Sequence, residues 1–140
     1  MRWWIALSLL AACAHAPSSE PRDFSSTNPS RAPASELAKA GTVTSAIARA
    51  AGKSVIMLGY LCEDRSKNKC PPCPDKGECA ACDRPAWLFC DDPGAIEAAG
   101  VLRVVDPPPE YKLTVGQHYL VKGLKTDTRE MSLEEIYFTD

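Results

Sequence analysis

Three things are scarce in this sequence of 140 residues: histidine, an excess of basic charge, and long apolar runs. Its two histidines are His15 and His118. The first lies in a Ser/Pro-rich stretch and the second in a strand-like run with no Ser or Cys motif beside it, so no nucleophile-base pair is legible. Lys and Arg number 16 against 18 Asp and Glu, a net charge of −2. No bulk charge seeks a polyanion, and no nucleic-acid partner is expected. The most apolar run, Trp3 to Ala12, falls far short of the roughly 20 residues that a permanent bilayer-spanning helix needs. These absences point away from an enzyme, a nucleic-acid binder and a helical membrane protein.

What the N-terminus does have is the shape of an export signal: Arg2, a short apolar core and then a cysteine, "MRWWIALSLLAAC". The four residues Leu10-Ala11-Ala12-Cys13 resemble the lipobox of bacterial lipoproteins. By that resemblance residues 1–12 are a signal peptide, Ala11 and Ala12 suit the peptidase, and the Cys13 sulfur takes the lipid that anchors the chain in a bilayer. A plain secretory signal cut nearer Ala16 is the other reading, and either way the chain is exported. In a Gram-negative envelope the resemblance implies an outer-membrane protein facing the periplasm, because Ala14 is not the Asp that retains such lipoproteins in the inner membrane. Residues 13–41 carry a single aromatic, Phe24, and are dense in Ser, Pro and Ala. Too little apolar surface is available there to offset chain entropy, so a mobile tether is expected.

Residues 42–140 read as one small domain. "TSAIARAAGK" has helical spacing at Ile47 and Ala50/Ala51, a Thr for its N-cap and Gly52 as its stop. Five β-rich runs follow: "SVIMLGYLC", "AWLFC", "VLRVVD", "VGQHYLVKGLKTD" and "LEEIYFT". Gly59 and Gly123 interrupt the first and fourth, as bend-marking glycines do at barrel corners. The pattern resembles bacterial OB-fold domains, which implies a mainly β, small five-stranded OB-like barrel with a short N-terminal helix. A β-sandwich fragment or an α+β sheet would carry the same strand count. The connection between the first two strands, Glu63 to Pro85, is long and holds most of the cysteines, making residues 62–90 a cysteine-rich insertion. That departs from the oligonucleotide- and oligosaccharide-binding members of the family and leaves a protein or small-molecule ligand, at the barrel or at the loop, as the expected partner.

Six cysteines lie in this domain, an even number in an exported chain. Their spacing, C-x7-C-x2-C-x5-C-x2-C-x7-C, is a palindrome centred on Lys76. Residues facing each other across an antiparallel hairpin keep a constant midpoint, so a turn at Asp75-Lys76-Gly77 brings all three pairs together. Nested disulfides Cys62–Cys90, Cys70–Cys82 and Cys73–Cys79 are the expectation, out of fifteen connectivities open to six cysteines. No cofactor is then needed. In the alternative, Cys70, Cys73, Cys79 and Cys82 form a four-sulfur site for zinc or Cu(I), although the five-residue gap between the two C-x-x-C pairs is short for two zinc knuckles. A thioredoxin-type dithiol at Cys70-Pro71-Pro72-Cys73 is the third reading, and it lacks the helix start and the βαβ context that such chemistry uses.

Two further features have bland and sharp readings. Asp91-Asp92 is a carboxylate pair in principle, but "DDPG" is a ready turn. Trp87, Phe89, Tyr60 and Tyr119 would make a stacking platform if exposed, whereas aromatic strand faces ordinarily supply core.

Overall fold

The computed structural model describes residues 28–94 and 97–140. The expected signal peptide, Cys13, and the tether as far as residue 27 lie outside the described residues. In chain order the elements are β1 (Ser30–Arg31), α1 (Ala34–Leu37), β2 (Gly41–Thr42), α2 (Val43–Ile47), β3 (Ser54–Asp64), β4 (Ala86–Cys90), a 3-10 turn (Ala98–Gly100), β5 (Leu102–Val105), β6 (His118–Asp127) and β7 (Glu130–Phe138).

The mainly β class is as expected, and all five β-rich runs are strands. The strand count is not five, however: the sheet has seven strands. The five longer strands pair cyclically. β3 pairs antiparallel with β4 and β6, β4 with β5, and β6 with β7, while β5 and β7 close the circuit in parallel. The two extra strands, of two residues each, add in parallel at β7 and β3. They belong to the stretch expected to be tether up to residue 41, so the folded part begins earlier than residue 42. Periodicity cannot reveal strands this short, because long-range pairing alone defines them.

Alternation builds the core. Along β3, Val55, Met57, Gly59 and Leu61 point inward, and on β6 Tyr119 and Val121 do the same. They meet Trp87, Phe89, Leu102, Val104, Met131 and Ile136 in one apolar cluster. Helix α2 docks on it through Val43 and Ala46. Gly59 is required for that docking: a Cβ there would stand 2.5 Å from the Val43 Cγ2. Gly123 sits at a register shift between β6 and β7, where a Cβ would collide with the Ser132 carbonyl.

The helix differs from its sequence reading. It runs only from Val43 to Ile47, and its cap is Thr42, whose hydroxyl accepts from the Ser45 N–H at 3.0 Å. Thr44 instead donates to Asp91 from across the fold.

Candidate functional site

The connection from β3 to β4 leaves the body at a narrow neck. Arg65 N–H donates to the Ala86 carbonyl at 2.8 Å, and Ala86 N–H returns a bond to Arg65 at 3.3 Å. The Arg65 guanidinium grips both sides of this neck, holding Glu63 at 2.7 Å and Asp83 at 3.2 Å. Its hydrogen bonds and charge keep the Glu63 carboxyl below its usual pKa of 4.5. Beyond the neck, residues 67–84 are exposed without interruption and contribute nothing to the core. A segment with so little buried surface has no apolar reason to hold a single shape.

Covalent links hold it instead. The six cysteines form three nested disulfides, Cys62–Cys90, Cys70–Cys82 and Cys73–Cys79, with Cα–Cα separations of 6.1, 5.5 and 4.7 Å. The tip turns at Gly77, whose φ of 109° lies in a region that side chains disfavour. Pairing therefore follows the palindrome, but the strand register does not. Cys90 lies opposite Tyr60, and Cys62 falls at a bulge between Leu61 and Glu63. The outermost disulfide thus runs diagonally from a residue that the ladder skips.

Strand β4 is buried on both faces. Trp87 and Phe89 enter the main core, while Ala86, Leu88 and Cys90 form a smaller cluster with Cys62 and Val101, covered by Tyr60. Cys62 and Cys90 retain 8% and 2% of their accessible surface, whereas Cys70, Cys73, Cys79 and Cys82 are all exposed.

The remaining sequence candidates have structural roles. Trp87 meets Tyr111 edge-on and Phe89 meets Tyr119 edge-on, so these aromatics are core and form no surface platform. Only Tyr60 stands outside the main core, with its ring 4.6 Å from that of His118. His118 Nδ1 lies 3.2 Å from the Thr139 hydroxyl. Asp92 makes the expected turn, accepting from Gly94 N–H at 2.8 Å. Asp91 does something the sequence did not suggest. Its carboxylate accepts from the N–H groups of Val43 and Thr44 at 2.7 and 2.9 Å and from the Thr44 hydroxyl at 2.6 Å. Partial burial would raise its pKa, but these donors outweigh burial and hold it below the usual 3.8.

Lys125 was likewise unanticipated. Its ammonium is buried and donates to the carbonyls of Ile47, Arg49 and Thr128 at 2.9, 3.1 and 2.6 Å, bolting the end of α2 to the β6–β7 turn. A signal for this existed, since Lys125 continues the inward parity of Tyr119, Val121 and Gly123. No local pattern announces Asp91, which is separated from its partners by 47 and 48 residues. Between the neck and the β6–β7 hairpin lies a depression of about 460 Å³, lined by Arg84, Asp106, Asp127, Glu130 and Ser132 among others. Arg84 and Asp106 form an ion pair at its rim.

Together these features define a mainly β module whose longest loop is closed by disulfides. No protein-family model and no curated protein matches the chain. Among solved structures, the telomere capping protein Ten1 from Saccharomyces pombe is similar in outline. Its TM-score is 0.45 at 10% identity, over 71% of this chain and 79% of that one. A likeness so distant carries nothing about what this chain binds.

Proposed function

We propose that the chain is a lipid-anchored, exported binding or structural module without catalytic activity. In this reading Cys13 holds it to the outer membrane on the periplasmic side, and an OB-like barrel displays the stapled loop to a protein or small-molecule ligand. The cyclic pairing of the five longer strands supports the barrel. The observation that carries the binding role is the uninterrupted exposure of residues 67–84 combined with two disulfides of their own. Rigidifying a segment that packs on nothing lowers the entropy lost when it meets a partner. Nucleic acid is not the partner proposed, because the charge balance is acidic.

Two measurements on the full chain test this. Wild-type protein should enter the detergent-rich phase on partitioning and Cys13→Ser protein the aqueous phase; wild-type protein found wholly in the aqueous phase would sink the anchor. A photoreactive side chain introduced at Lys76 should then cross-link, in intact cells, to a discrete partner that is lost in Cys73→Ala/Cys79→Ala protein. Cross-links from Lys76 that survive this substitution unchanged would refute a role for the stapled shape.

A further inference from the structure

We propose that residues 70–82 are a redox-gated metal site. When the two exposed disulfides are reduced, Cys70, Cys73, Cys79 and Cys82 take one thiophilic d10 ion, Zn(II) or Cu(I), while Cys62–Cys90 stays oxidised. The inference uses the disulfide pairing described above but goes beyond the stapled binding module.

Accessibility separates the links. Thiol-disulfide exchange needs an attacking thiolate to reach a sulfur from outside. Cys62 and Cys90 are enclosed by Ala86, Leu88, Val101 and Tyr60, and the other four cysteines are exposed. A dithiol reductant, such as an exported thioredoxin-like protein, therefore reaches Cys70–Cys82 and Cys73–Cys79 and is shut out of the third link. In the balanced step, two reductant dithiols become two disulfides while the two loop disulfides become four thiols.

The connectivity of the hairpin then brings the four ligands onto one short turn of chain. Each C-x-x-C is the spacing of a zinc chelate, and the two lie on opposite arms of a single hairpin turning at Gly77. The five-residue gap that looked too short for two knuckles is no obstacle, because the arms already approach to 4.7 Å between the Cα atoms of Cys73 and Cys79. With the links closed, no group of three or more ligand side chains among the described residues is placed to hold an ion; a tetrahedral zinc with Zn–S bonds of about 2.3 Å places its sulfurs roughly 3.8 Å apart, so the opened arms must draw the four sulfurs together around it. Nothing in the core restrains that movement, since residues 67–84 are exposed throughout. On binding, the four S–H protons leave, four S–metal bonds form, and no electron moves.

The test uses full-chain protein in detergent, titrated anaerobically with a phosphine reductant, which does not compete as a thiol ligand. Thiols are counted by mass after alkylation, and Co(II) serves as the metal probe. Four alkylated cysteines should appear before Cys62 and Cys90 react. One Co(II) per chain should then give thiolate-to-cobalt absorption that Zn(II) abolishes. Cys73→Ser/Cys79→Ser protein should keep the Cys62–Cys90 link and the wild-type melting temperature and lose stoichiometric cobalt binding. Release of all six thiols together would overturn the gate. Four free thiols with no cobalt band, or binding indifferent to the double substitution, would overturn the site and leave the stapled module standing. Protein isolated already holding zinc on four thiolates would overturn both the gate and the staple.

Discussion

The body and the cysteine loop of this molecule are held together by different forces. In the body, residues from every long strand and from α2 share one apolar cluster with accessibilities of 4% or less. In the loop, eighteen consecutive exposed residues are constrained by Cys70–Cys82 and Cys73–Cys79. The first kind of order acts by lowering the free energy of the folded state, and the second chiefly by restricting the unfolded chain. The Cys62–Cys90 link stands between them, being covalent and also buried. Damage to the body should therefore spread through the whole molecule, and damage to the loop should stay where it is.

The sharpest way to break this contrast is Phe89→Ala, which empties a fully buried site in the main core. It should cost about 3–5 kcal/mol and leave a marginal fold, read from denaturant unfolding. Next comes Cys62→Ala/Cys90→Ala. This pair closes a loop with a sequence separation of 28, and its removal should cost roughly 2–4 kcal/mol while strand content is kept in far-UV circular dichroism. A cost near zero would mean that the apolar cluster around the link suffices without it.

Asp91→Ala should cost about 1 kcal/mol, in the range of a lost helix cap. Its pH dependence sharpens the assignment. The folded-state pKa is depressed, so the stabilisation is complete above the ordinary carboxylate value of 3.8 and fades as pH falls through the folded value. Melting curves of the two proteins should therefore stay a constant interval apart from pH 7 to pH 5 and converge in acid. The smallest effect belongs to Cys73→Ala/Cys79→Ala. The melting temperature of the body should be unchanged within error, while protease cleavage between Pro74 and Glu78 accelerates; a large drop in melting temperature would show that the loop supports the core after all.

The same contrast explains what the sequence made legible. Five strands could be read because each carries several apolar residues in a β-rich run, and "AWLFC" is continuous because both faces of β4 are buried. The disulfide pairing was legible for another reason, the symmetry of the cysteine spacing about Lys76. What stayed hidden depends on tertiary pairing. The register shift at Cys62 leaves no mark in the local sequence, so Cys90 was placed opposite Cys62 and is found opposite Tyr60. Likewise Ser30–Arg31 and Gly41–Thr42 are strands only because β7 and β3 offer them edges. At the candidate site, the residues and their links could be anticipated, but the difference in exposure between Cys62–Cys90 and the other two pairs could not.

Burial of β4 on both faces has a consequence for dynamics. Amides at Trp87, Leu88 and Phe89 lie between two strands and beneath two apolar clusters, so deuterium reaches them only when the whole body opens. Their exchange rates report the global unfolding free energy. Amides between Cys70 and Cys82, although covalently enclosed, face solvent and should exchange nearly as fast as in an open chain. A cross-link fixes the path of a backbone without sheltering its hydrogens, and a single exchange experiment on this protein would display both limits within the twenty residues from Cys70 to Phe89.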